Sequence, residues 1–223
     1  MESLSRQLWH LPYRLAFLGV NIGRNVTVIR LDSGDLVVHS TAPFTPEDVA
    51  AVRELGRVRW ITDPMLDHNT FSGEGMTAFP EATYLVPDGF SAQAGEMKAL
   101  LPAPPEWAGE LEVLPIHGVP GFGEHVFYHV SSRTLIVCDL LMHFPGPASA
   151  WKRLLLWIGL GRHQSPGISR RFKMAVRNRH QLRQSLDEIM KWDIEMVICG
   201  HGQPMRLNAR NKLKKAFEQA GWM

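Results

Sequence analysis

The chain has 223 residues, 45% hydrophobic and 21% charged, which supplies apolar surface for a sizeable core and excludes a disordered or fibrous polypeptide. Its formal net charge of +2 is too small to mark a nucleic-acid binder, and no nucleic-acid-binding motif occurs. The two cysteines, Cys138 and Cys199, each lie in an apolar run, so they read as reduced core residues and exclude a disulfide framework.

In chain order, Val26 to Leu31 and Leu36 to His39 flank the turn Asp32-Ser33-Gly34-Asp35 and predict a hairpin. Thr45-Pro46-Glu47-Asp48 offers an N-cap, a proline at the first helical position and acidic residues in the first turn. An apolar stripe through Val49, Val52 and Leu55 follows, and Gly56 ends that helix. A strand over Val58 to Thr62, a short helix near Gly73 to Phe79 and a strand over Thr83 to Val86 continue the alternation. Three further strands are predicted at Leu111 to Ile116, His125 to Val130 and Thr134 to Cys138, separated by turns rich in Gly, Pro and Ser. A helical insert of about residues 147–192 comes next, with Phe172, Ala175, Val176, Leu182, Leu186, Ile189 and Met190 recurring near a 3.6 period. A strand over Ile194 to Cys199 and a basic helix over Leu207 to Phe217 close the chain.

Four polar clusters fall just past predicted strand ends, where an α/β protein carries its functional loops. They are Asp63 to His68, Ile116 to Gly121, Cys138 to Leu140 and Cys199 to Gly202. A divalent ion needs imidazole nitrogens and carboxylate oxygens converging from separate segments, and these clusters offer His68, His117, His201, Asp67 and Asp139. Taken singly, each of these residues is more often a turn former or surface group.

The order and spacing of the clusters resembles the metallo-β-lactamase superfamily, whose pattern is a His-x-His-x-Asp-His loop, a His before a Gly turn, an Asp ending a strand and a late Gly-His. The resemblance runs from about Val26 to the C-terminus, and Thr27 to Leu31 with Val38-His39-Ser40 is similar to a little-characterised branch. It implies an αββα sandwich, here a single domain over residues 1–223 with the helical insert before the last strand. The family's Asp-His falls on Asp67 and His68, its middle His on His117, its bridging Asp on Asp139 and its last His on His201. The two leading histidines are replaced by Asp63 and Met65. A thioether is a poor ligand for a hard or borderline cation, whereas Asp63 retains ligand chemistry. The resemblance therefore implies one divalent ion, zinc first with iron or manganese as alternatives, held by Asp67, His68, Asp139 and His201. His117 would be a distant ligand or a free acid/base, and restoring histidine at 63 and 65 should restore a second ion.

The function implied is a metal-dependent hydrolase acting on a small-molecule ester, thioester or phosphodiester, with Asp67 and His117 as catalytic candidates. The alternative is a non-catalytic scaffold or binding protein of the same fold with a degenerate metal site, holding one ion or none and using the helical insert for binding or assembly. His39 is expected to be a hydrogen-bonded core residue, His125 and His129 to face solvent or a subunit, and His143 is placed to lean into the vacated ion position. Trp151 to Leu160 is too apolar for one buried stripe and is expected to be a covered helix, as a lid or homodimer contact. The arginines from Arg170 to Arg183 read as a solvated face, with the capacity to attract an anionic partner. No secretory signal and no membrane-spanning run is evident, so a cytoplasmic protein is expected.

Overall fold

The computed structural model describes residues 1–17, 20–92, 95–144, 150, 151, 154, 157, 158 and 166–223. A seven-stranded sheet runs in the order β1 (Glu2–Ser5), β2 (Leu8–Tyr13), β5 (Arg24–Arg30), β6 (Asp35–His39), β7 (Arg57–Thr62), β8 (Thr83–Val86), β9 (Lys98–Ala99). The short β3 (Ala16–Phe17) and β4 (Val20–Asn21) pair as a separate ribbon. A four-stranded sheet runs β10 (Leu111–Pro115), β11 (His125–His129), β12 (Thr134–Ile136), β13 (Met196–Ile198).

Because successive side chains in a strand point to opposite faces, each sheet can bury both. Val37 and Leu85 of the first sheet pack with Phe127, Ile136 and Ile198 of the second, forming the layer between the sheets. Their neighbours Val38, Tyr84 and Val86 turn the other way, onto Val52 of α1 (Pro46–Leu55) and Phe79 just past α2 (Ser72–Ala78). Val126, Leu135 and Val197 pack outward against Phe172 of α3 (Arg170–Ala175), Leu182 and Leu186 of α4 (Arg179–Ile189), and Leu213 and Phe217 of α5 (Ala209–Gln219). These three apolar layers are the expected αββα sandwich. Along β7 the register shifts between the pairs Leu36↔Val58 and Val37↔Trp60. The extra residue, Arg59, lets Val58 face the helices and Trp60 the sheet interface despite their even spacing.

Strand direction decides where function can sit. β6, β7 and β8 are mutually parallel, as are β12 and β13, so the segments that follow them emerge at common sheet edges. Asn25 N–H to the Gly200 carbonyl and His125 N–H to the Pro64 carbonyl tie the two sheets together at that edge.

The predicted helix over Pro46–Leu55 has its Thr45 N-cap and a reciprocal capping box with Asp48. β1 and β2 were not foreseen, because Pro12 interrupts the apolar run. Proline is tolerated there because β1 pairs no further along β2 than His10. The single 3.6 period expected from Phe172 to Met190 is broken into α3 and α4. The Asn178 side chain accepts from the N–H groups of His180 and Gln181, restarting the helix, while Arg177 and Asn178 N–H bond to the Gly118 carbonyl. In the Trp151 to Leu160 segment the rest of the described chain does not supply the expected covering: Trp151, Leu154, Trp157 and Ile158 are helical but 65%, 43%, 41% and 48% exposed. The remaining residues of that segment lie outside the described ones. His129 is also not solvent-facing, since it is 1% exposed with Nδ1 2.7 Å from Ser132 Oγ, the Ser131-Ser132 turn folding back onto it. No helix among the described residues is long and apolar enough to cross a membrane.

Candidate metal centre

His68, Asp139 and His201 converge, with one potential ligand atom from each lying within 4.8 Å of the others. His68 comes from the 3-10 helix Leu66–Phe71 after β7, Asp139 from just beyond β12, and His201 from just beyond β13. His201 Nε2 stands 3.3 Å and His68 Nε2 3.8 Å from Asp139 Oδ1. All three are buried.

His201 and Asp139 are held from behind. His201 Nδ1 lies 2.6 Å from the Gly23 carbonyl, which can only accept, so Nδ1 carries a proton and Nε2 is turned to Asp139. The Asn25 amide donates to the Cys199 and Gly202 carbonyls, both at 2.8 Å, clamping the loop on either side of His201. Buried Glu124 accepts from the N–H groups of Cys138 (2.7 Å) and Asp139 (3.1 Å). Gly200 permits the close approach, because a Cβ there would lie 2.9 Å from the His68 ring.

Burial, followed by the nearby Arg24 charge, pushes His68 down to about 3, so its imidazole is neutral and its lone pair is available. For Asp139 burial opposes ionisation, but the adjoining His201 and His68 imidazoles outweigh it and hold the carboxyl below the ordinary range. Burial, then the Asp139 charge, raises Glu124 to about 8. The decisive feature is what the cluster leaves unpaired: His68 Nδ1, His68 Nε2 and Asp139 Oδ1 are buried with no hydrogen-bond partner. Buried polar atoms are normally satisfied. Two imidazoles and a carboxylate presenting bare atoms to one another fit the donor set of a borderline divalent cation.

The other expected ligands are engaged elsewhere. Asp63 is 0% exposed, and both its oxygens are taken: Arg24 and Thr41 N–H on one at 2.9 Å each, the Thr41 and Tyr84 hydroxyls on the other. It pairs with a buried guanidinium and has no oxygen to spare. Asp67 is exposed and ion-pairs with Arg171 instead of joining the cluster. His117 is exposed and lines a cavity together with Glu124, outside the cluster. His143 Nδ1 donates to the Gln203 carbonyl at 2.7 Å and does not fill the first position. His39 is a core residue, its ring edge-on to Phe127 at 4.9 Å, with Nδ1 3.4 Å from Ser40 Oγ. Met65 is fully buried in the apolar layer under α3 to α5.

Glu124, Arg24 and Asn25 were not anticipated. The signal for Arg24-Asn25 was a charged and amide pair opening an otherwise apolar strand, whereas Glu124 follows a Gly-Phe-Gly turn and carries no signature.

The sequence matches no protein-family model and no curated protein. Solved structures do match over their full length. A metallo-β-lactamase from Pontibacter korlensis superposes with a TM-score of 0.61 at 12% identity, covering 98% of this chain and 97% of that one. One from Hirschia baltica gives 0.61 at 15% identity, covering 98% and 95%. The DIM-1 metallo-β-lactamase gives 0.62 at 14% identity, covering 98% and 96%. At these identities the likeness is one of fold, and the chain has the metallo-β-lactamase fold.

Proposed function

We propose that this chain, built on the metallo-β-lactamase fold, is a metal-dependent hydrolase whose ion is held by His68, Asp139 and His201. The observation that supports the reading is the convergence of His68, Asp139 and His201 at the shared edge of the two sheets, with His68 and Asp139 atoms buried and left without hydrogen-bond partners. A divalent ion, zinc by preference and iron or manganese as alternatives, supplies Lewis acidity and acidifies water at neutral pH. The chain's own part is to keep His68 neutral by burial, to present His201 through Nε2 by fixing Nδ1 on Gly23, and to hold Asp139 ionised beside them. Glu124 and Asn25 fix the two loops so that the ligands meet without rearrangement. Substrate is a small ester, thioester or phosphodiester. Asp67 and His117 keep no direct part in this reading, since one is paired with Arg171 and the other faces a different cavity.

Protein purified without an affinity tag should carry one ion per chain, and Asp139→Asn or His201→Ala should carry none. Hydrolysis of p-nitrophenyl ester, thioester or bis-p-nitrophenyl phosphate probes should depend on the ion and vanish in both variants. Hydrolysis that persists in them would place the chemistry elsewhere. A wild-type protein that takes up no ion supports the second reading, a non-catalytic scaffold, which the occupation of the Asp63 position by Arg24 favours.

The exposed residues Trp151, Leu154, Trp157 and Ile158 support a homodimer as the resting assembly. Trp151→Glu with Trp157→Glu should then halve the mass seen by light scattering, and an unchanged mass removes the dimer.

A further inference from the structure

A cavity of about 470 Å³ opens between the β10–β11 loop and the start of α4, a size typical of small-molecule sites. Its walls are locked together. Gly118, at φ +82°, accepts from Arg177 and Asn178 N–H at 2.8 and 3.1 Å, and a Cβ there would lie 2.2 Å from the Asn178 carbonyl oxygen. Loop and helix start therefore meet backbone to backbone, which preforms the cavity between them.

The polar lining has a definite chemical pattern. Arg177 contributes a permanent cation with a planar fork of donors, and the Gln181 amide comes from the first turn of α4. The lining also holds His117 and buried Glu124, whose oxygens are taken by Cys138 and Asp139 N–H, and two further acceptors. One is the Asp88 carboxylate. The other is His125: its Nδ1 is 2.9 Å from the Gly123 carbonyl and must donate there. Burial lowers its pKa, so at neutral pH Nε2 is a bare acceptor. An apolar ligand would leave the Asp88 carboxylate and His125 Nε2 without partners and Arg177 with only the Met174 carbonyl, 3.4 Å from its Nη1. A simple anion would satisfy Arg177 but bring acceptor against acceptor at His125 and Asp88. A molecule with an oxyanion at one end and its own O–H beside it satisfies both sets.

We propose that this cavity binds a small hydroxy-substituted oxyanion, its anionic group on Arg177 and its hydroxyl donated to His125 or Asp88. None of His68, Asp139 and His201 lines the cavity, so the site stands whether or not the cluster holds an ion. The test titrates metal-free wild-type protein by calorimetry with glycolate, acetate and inorganic phosphate, so that no bound ion supplies the affinity. Glycolate should bind saturably and at least fivefold tighter than acetate, which lacks the hydroxyl. Arg177→Gln, at an exposed position, should weaken glycolate at least tenfold with an unchanged melting temperature. His125→Gln should erase the preference for glycolate over acetate. Phosphate binding tighter than glycolate, with the same dependence on Arg177, identifies a phosphate ester as the ligand class; weaker phosphate binding identifies a hydroxy acid. No saturable binding of any probe, equal affinity for glycolate and acetate, or binding that survives Arg177→Gln overturns the proposal.

Discussion

Two buried polar clusters lie side by side at the same sheet edge and differ in one respect. In the first, Asp63 takes Arg24, Thr41 and Tyr84 on its two oxygens, while Arg24 also donates to the Thr41 and His68 carbonyls. In the second, His68, Asp139 and His201 approach one another, and His68 and Asp139 keep buried atoms without partners. The first is closed and needs nothing from solution. Desolvating a charge is costly unless a partner and hydrogen bonds offset it, and the Arg24–Asp63 pair supplies both. The second offsets the burial of Asp139 only through the His201 and His68 imidazoles and still leaves buried polar atoms without partners. A polar cluster that is finished is a structural device, and one left unfinished beside it marks a place for a ligand. Arg24 joins the two, since its donation to the His68 carbonyl makes the closed cluster the foundation of the open one.

The sharpest way to break this comparison is to open the closed cluster. Asp63→Asn leaves the Arg24 guanidinium buried without a counter-charge and should cost about 3–5 kcal/mol of stability, read from denaturant unfolding. Arg24→Met combined with Asp63→Leu should recover most of that loss. If the single variant melts like wild type, the pair is not structural.

The histidines missing from positions 63 and 65 sharpen it next. From the sequence, Asp63→His with Met65→His should restore a second ion. The structure reverses that expectation, because the substitution strips Arg24 of its carboxylate and puts an imidazole in a fully buried apolar layer. The expected outcome is unchanged metal stoichiometry by elemental analysis, with a stability loss similar to that of Asp63→Asn. A second ion in a folded variant would refute the closed-cluster account.

A smaller effect is expected from Glu124, which touches the open cluster only through backbone. Glu124→Gln keeps the shape but replaces one of the two acceptor oxygens that orient Cys138 and Asp139 N–H. Zinc affinity should fall roughly tenfold, as for other supports of a metal ligand, with little change in metal-free stability. No change in affinity would mean that the Asp139 loop holds itself.

The smallest effect is on pH dependence. Burial lowers His39 to about 3 from the ordinary 6.5, so the unfolded chain takes up its proton first as pH falls. His39 therefore adds stability above about 6.5 that is lost progressively between 6.5 and 3, and His68 adds to the same trend. His39→Gln should flatten the fall in melting temperature of metal-free protein across that window. A slope identical to wild type would show that other groups govern acid unfolding.

What the sequence determined by itself is the alternation of faces and the placement of polar groups at strand ends. A period of two in Val126-Phe127-Tyr128 and Met196-Val197-Ile198, and a capped helix at Thr45, are local properties of side-chain direction and backbone hydrogen bonding. His68, Asp139 and His201 were legible for the same reason, each lying just past an apolar run in an order that resembles a known fold. What only the tertiary structure decided is which of the six candidates share a centre. That choice depends on partners distant in sequence: Arg24 claims Asp63 across 39 positions and Arg171 claims Asp67 across 104. The β10–β11 loop likewise carries His117 to a cavity apart from the cluster. Ligand chemistry is a property of a residue, but availability for it is set by whatever the fold brings alongside. No local pattern encodes that competition, because a carboxylate reads the same in sequence whether its oxygens end up spent on an arginine or free for an ion.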